Sequence, residues 1–210
     1  MSNSYDETYY ERGVQEGVSG YQNYRWLPEQ TMSMCEAMVK HLKISSRDVI
    51  LDFGCAKGFL VKAFTRLGFR CYGLDVSEYA ISNADEEIKE KLAVVRGDVE
   101  TVLTNLSEVD VIICKDVLEH VPYNELPQLI NCFHQKSKKL FVVVPLAKDG
   151  KYIIPEYEKD ITHVVRENMS WWTKLLENSG YKVRAELKVE GVKDNWSHFE
   201  DGNGFFFCER

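Results

Sequence analysis

The chain has 210 residues, 44% hydrophobic and 28% charged, which suits one α/β domain with a sizeable core. Its formal charge is −7 and it has no Lys- or Arg-dense run, so nucleic acid is not an expected partner. No apolar run nears the ~18 residues that span a bilayer and no leader-like segment is seen, so a cytoplasmic protein without membrane contact is expected. The six cysteines are scattered, with no C-x-x-C pair, and several lie in apolar runs as small hydrophobes; this too fits a reducing compartment.

Residues 1 to about 26 are polar and aromatic, with Tyr5, Tyr9, Tyr10, Tyr21, Tyr24 and Trp26. The segment is too aromatic for a disordered tail, and Gly13, Gly17 and Gly20 oppose one long helix, so it is expected to pack on the domain. A helix over 27–42 follows, with Pro28 in its first turn. Strands are then expected at 48–53, 70–75, 92–96, 109–114 and 139–144, alternating with helices at 57–67, 77–90, 100–106 and 123–135. The runs at 109–114 and 140–144 are almost continuously apolar, as in strands covered on both faces, and the alternation implies parallel pairing through right-handed crossovers. A helix at 168–178 precedes strands at 181–189 and 205–208; with no helix between them, these two should pair antiparallel. The predicted fold is α/β, a doubly wound and mostly parallel sheet with an antiparallel C-terminal strand pair.

The first strand runs into Asp52-Phe53-Gly54-Cys55-Ala56-Lys57-Gly58, a tight glycine loop that opens a helix beneath a small ligand. The second strand ends in Asp75, about 20 residues on, which is the layout of a nucleotide or nucleoside site. The dinucleotide pattern G-x-G-x-x-G is absent because Ala56 takes a glycine position, which speaks against a nicotinamide cofactor. Asp75-x-x-Glu78 also resembles a capping box with Ser77 as a candidate N-cap, so ribose binding and capping both stay open. Gly97-Asp98-Val99 after the third strand reads as a ligand contact or as a turn. The fourth strand leads into Cys114-Lys115-Asp116-Val117-Leu118-Glu119-His120-Val121, beside a ligand or simply leaving the sheet.

These segments together resemble the class I S-adenosylmethionine-dependent methyltransferases, over about residues 48–210. The resemblance implies a seven-stranded Rossmann-like sheet, S-adenosylmethionine as cofactor and S-adenosylhomocysteine as product. It implies that Asp52, Gly54, Cys55 and Gly58 form the loop under the cofactor's amino-acid part. Asp75, with Val76 beside it, would meet the ribose; Asp98 and Val99 would meet the adenine; Lys115 and Asp116 would lie near the methionine portion. Ala56 departs from the family's middle glycine. One domain over 1–210 is expected, with the aromatic segment and helix at 1–45 covering a Rossmann-like core at 46–210.

Methyl transfer from a sulfonium mainly requires alignment of the nucleophile, but a hydroxyl or amine acceptor must also lose a proton. His163, after the fifth strand, and His120, after the fourth, are the candidate bases, with Asp160 available to orient His163. A structural role for His120, and capping or loop hydrogen bonding for His163, are the competing readings. The five histidines show no metal-ligand spacing, so no metal is expected. Tyr21 and Tyr24 read either as a lid or as packing, and Trp171 and Trp172 as core.

The expected function is S-adenosylmethionine-dependent O- or N-methylation of a small molecule, a sugar or a nucleotide-linked sugar, with a small-molecule substrate as partner and the oligomeric state unread. The alternatives are a non-catalytic cofactor-binding module of the same fold and a protein or nucleic-acid methyltransferase. Net charge, and the missing Asn/Asp-Pro-Pro-aromatic motif, weigh against nucleic acid.

Overall fold

In the computed structural model, which describes residues 4–210, side chains along each central strand alternate between two cores. In β4 (Val109–Lys115), Val111 and Ile113 face one core and Ile112 and Cys114 the other. In β5 (Ser137–Pro145), Phe141 and Val143 oppose Leu140, Val142 and Val144 in the same way. A strand buried on both faces must be apolar at nearly every position, which is why these runs carry no polar half.

The other principal strands are β1 (Val49–Phe53), β2 (Arg70–Asp75), β3 (Leu92–Val94), β8 (Lys182–Glu186) and β9 (Asn203–Glu209). The sheet order is β3-β2-β1-β4-β5-β9-β8; the first five pair in parallel, and β9 runs antiparallel to both β5 and β8. The expected doubly wound sheet with its antiparallel end is what the chain forms.

Helices α3 (Pro28–Leu42) and α4 (Phe59–Arg66) cover one face through Cys35, Met38, Leu42, Val61 and Phe64. The other is covered by α6 (Val99–Asn105), α7 (Leu126–Lys136) and α8 (Met169–Asn178) through Leu103, Phe133, Trp172 and Leu176. All six cysteines are free and buried. Among the described residues no helix is long and apolar enough to cross a membrane.

The helix expected over 77–90 is much shorter. α5 spans only Glu78–Ser82, followed by turns and a 3-10 turn at Lys89–Lys91. The Asp85 side chain accepts the Glu87 N–H, and Asn83 donates to the Tyr79 carbonyl; such local side-chain bonds compete with the helical ladder. The sequence reading also missed a small hairpin, β6 (Ala147–Lys148) with β7 (Lys151–Tyr152). Its turn is Asp149-Gly150, both at positive φ, the geometry a two-residue hairpin favours.

Of the N-terminal segment, Met1–Asn3 lie outside the described residues. The rest forms α1 (Glu7–Glu11), capped by Asp6, and α2 (Gly13–Glu16), and it packs on the domain as expected.

Candidate active site at the carboxyl ends of the strands

In a parallel sheet the loops after alternate strands diverge, and the crevice they leave is a natural ligand site. Here that crevice is bounded by the loop after β1, the end of β2 and the segment after β4. Gly54, Ala56 and Gly58 all take positive φ, at +79°, +49° and +75°. Gly54 is required for packing first: a Cβ there would stand 2.3 Å from Val117 Cγ2, so the loops after β1 and β4 touch through it. A valine at Gly54 would therefore disturb the fold as well as any ligand. Ala56 tolerates the left-handed conformation at a cost of about 1–2 kcal/mol. Its methyl packs against the N-terminal tyrosines.

Asp75 ends β2 and is buried. Its carboxylate accepts the N–H of Ala56 at 2.7 Å and of Ser77 at 2.7 Å, so it holds the glycine loop in place. Burial pushes its carboxyl upward in pKa, and the backbone donors oppose that shift. Ser77 is the N-cap of α5, accepting from Ala80 N. Asp52 is buried in β1, and burial together with the nearby Asp75 raises its carboxyl to about 7. Cys55 is buried beneath the loop, while Val76 stands 48% exposed. Asp98 is exposed and caps α6, accepting from Thr101 N and Oγ1, and Val99 is the first residue of that helix.

Lys115 and Asp116 pair at the end of β4, and Asp116 takes φ +57°. A second cation joins them: Lys193, from the loop before β9, also pairs with Asp116. Burial alone would raise the Asp116 carboxyl, but the two ammonium groups override it and hold it well below the usual range. Lys193 lay too far along the chain to be read as part of this site.

A tyrosine cluster covers the loop. Tyr9, Tyr10, Tyr21, Tyr24 and Tyr79 pack ring on ring, with Tyr21 and Tyr24 4.8 Å apart between centroids and Tyr24 5.0 Å from Phe59. Lys57 fastens the cover by donating to Glu11 at 2.5 Å and to the Tyr24 carbonyl at 2.9 Å. Ser77 Oγ donates to the Tyr5 carbonyl at 2.5 Å, and Tyr9 donates to Asp160 at 2.8 Å. Glu11 and Lys57 carried no recognisable signal, because a tie between residues so far apart leaves no local pattern.

The two histidines meet. His120 and His163 lie 4.6 Å apart between ring centroids, and Tyr5 packs edge-on to His120. The expected Asp160–His163 pairing is not made: Nε2 of His163 is 3.9 Å from the carboxylate, too far for a hydrogen bond, and its Nδ1 instead meets the Tyr157 carbonyl at 2.9 Å. Asp160 orients the other ring. Thr162 Oγ1 donates to Asp160 at 2.5 Å and therefore accepts from His120 Nδ1 at 2.8 Å. A carbonyl only accepts, so both rings carry their proton on Nδ1 and leave Nε2 with its lone pair. Burial, then the neighbouring imidazole, lowers His120 to about 4, and burial lowers His163 as well, so both are neutral at pH 7. Glu119 is 1% exposed beside them, and its Oε2 has no hydrogen-bond partner among the described residues.

A separate surface cavity of about 320 Å³, lined by His41, Lys139, Lys182 and Arg184, lies near the opposite ends of the strands and takes no part in this constellation.

A family model described as a methyltransferase domain matches residues 29–186. The chain belongs to the methyltransferase-domain family. Proteins of this family use S-adenosylmethionine. The chain is similar to the mitochondrial ubiquinone biosynthesis O-methyltransferase of Rattus norvegicus, 26% identical over 157 residues, 68% of this chain and 44% of that protein. In structure it resembles an S-adenosylmethionine-dependent methyltransferase from Archaeoglobus fulgidus, at TM-score 0.65 and 17% identity, covering 85% of this chain and 94% of that one. It also resembles magnesium protoporphyrin IX methyltransferase of Synechocystis PCC 6803 with bound S-adenosylhomocysteine, at TM-score 0.60 and 18% identity, covering 94% and 87%. The matched stretch spans less than half the length of the curated relatives.

Proposed function

We propose that this chain transfers a methyl group from S-adenosylmethionine to a hydroxyl of a small-molecule acceptor. The observation that carries the proposal is the junction of Asp75 with the positive-φ loop, closed over by the tyrosine cluster and continued into the His120–His163 pair. The residues present suit the cofactor. A buried acid at the end of β2 is placed for a vicinal diol, and Gly54 and Gly58 give the adjoining loop its left-handed turns. The cofactor supplies an activated methyl on a sulfonium, so the chain's own work is alignment, exclusion of water and removal of the acceptor's proton.

Each task has residues. Asp75, Asp52 and the Gly54–Gly58 loop bind; Lys115 and Asp116 border the reacting end; Asp98 and Val99 lie at the outer, adenine-facing side. Tyr21 and Tyr24 act as a lid, and their ring faces favour a sulfonium by about 0.5–2 kcal/mol. The neutral imidazoles of His120 and His163 present lone pairs at Nε2 that can accept a proton, although the lowering of His120 to about 4 makes that ring a weak base at neutral pH. Oxygen is preferred as the acceptor atom because the relative named above is an O-methyltransferase.

Calorimetric titration with S-adenosylmethionine and S-adenosylhomocysteine tests the binding half. Saturable binding of both is expected, followed by S-adenosylhomocysteine release with small hydroxylated acceptors. Absence of binding to the folded protein would overturn the assignment, and binding without turnover across acceptors would mark a non-catalytic module.

A further inference from the structure

The environment around His120 and His163 is arranged for more than proton transfer. A carboxylate oxygen of Glu119 and a ring nitrogen of each histidine all lie within 4.8 Å of one another. Ligand atoms around one ion at about 2.1 Å stand roughly 3–4 Å apart, so the three need draw in by only about an ångström.

Two independent features point the group at a cation. Glu119 is almost completely buried, yet its Oε2 has no partner among the described residues, and such an atom is costly unless something positive completes it. Each imidazole is held through Nδ1, His163 by the Tyr157 carbonyl and His120 by Thr162 backed by Asp160. Anchoring one ring nitrogen on an oxygen fixes the tautomer that leaves the other as a ligand, and it raises ligand basicity. Other groups around the cluster are committed elsewhere: Tyr9 donates to Asp160, and Lys193 pairs with Asp116.

We propose that Glu119, His120 and His163 bind a first-row divalent cation such as Zn²⁺, as a two-histidine, one-carboxylate site with open coordination positions. Nitrogen donors favour this class over Mg²⁺ or Ca²⁺, and three protein ligands leave room for a substrate oxygen. The cation acts as a Lewis acid: an acceptor hydroxyl bound to it is oriented and acidified, and its proton leaves to solvent. This role rests on the methyl-transfer reading and recasts the two imidazoles from bases to ligands. The existence of the site does not depend on that reading.

The test uses the full chain, stripped with a chelator and titrated with Co²⁺, followed by its visible d–d absorption. One equivalent is expected to bind, without the thiolate charge-transfer band of a cysteine ligand, and Zn²⁺ should displace it. His163→Ala and Glu119→Gln should each weaken Co²⁺ binding at least 100-fold, and Thr162→Val, which breaks the support of His120, about 10- to 100-fold. Far-UV circular dichroism identifies any variant that fails to fold, in which case the others carry the comparison. No saturable uptake by the wild-type chain, a thiolate band, or unchanged affinity in the folded variants would overturn the site. S-adenosylmethionine is titrated separately: cofactor binding without Co²⁺ uptake rejects the metal alone, and Co²⁺ uptake without cofactor binding rejects the methyl-transfer reading alone.

Discussion

Tyr9 donates a hydrogen bond of 2.8 Å to Asp160 across a sequence separation of 151, joining the N-terminal cover to the loop that carries the histidines. The same carboxylate accepts from Thr162 and so sets the orientation of His120. Cover and chemistry therefore share one acid: displacement of the tyrosines removes a partner from the group that fixes the ring.

Removing that bond should loosen the cover. Tyr9→Phe is expected to cost about 1–3 kcal/mol, since the buried carboxylate loses a donor. Urea unfolding measures the loss, and faster proteolytic nicking before Leu27 should accompany it. Unchanged stability and unchanged nicking would show that the tie does not hold the segment down.

The Asp75 carboxylate supports the glycine loop and is the proposed ribose contact. Asp75→Ala should weaken S-adenosylmethionine binding at least 10-fold, equivalent to about 1.4 kcal/mol. Calorimetry gives the affinity, and a folded variant that binds like the wild type would remove Asp75 from the site.

Ala56 is a non-glycine residue at φ +49°. Ala56→Gly should stabilise the protein by up to about 1 kcal/mol, because relief of left-handed strain exceeds the added flexibility of the unfolded chain. The thermal midpoint reports the sign. A lower midpoint would mean that the methyl's contact with the tyrosines outweighs the strain.

Asp52 gives a pH signature. Its carboxyl rises from 3.8 to about 7 on folding, chiefly through burial. The folded state then holds a proton that the unfolded state has released. The stability linked to Asp52 is complete below about pH 4 and is lost as pH rises through about 7. Asp52→Asn should remove that decline, gaining on the order of 3 kcal/mol over the wild type between pH 4 and pH 8. Parallel pH dependences for the two proteins would contradict the burial-driven shift.

The sequence by itself determined the sheet. Almost continuously apolar runs at 109–114 and 140–144, bounded by turn residues, read as strands covered on both faces, and the glycine loop with Asp75 marks the crevice because both requirements are local. Helix 77–90 failed at that same local level, where Asp85 and Asn83 satisfy the backbone without a helix. Only the tertiary structure decided which side chains meet: Lys193 with Asp116, Lys57 with Glu11, and Glu119 with His120 and His163. Histidine spacing along the chain gave no sign of a ligand set, because one ligand comes from the turn after β4 and the other from the loop beyond the β6–β7 hairpin. Periodicity reports which face a residue turns to the core, whereas a polar site depends on where separate loops converge, and that is set by the packing of the whole sheet.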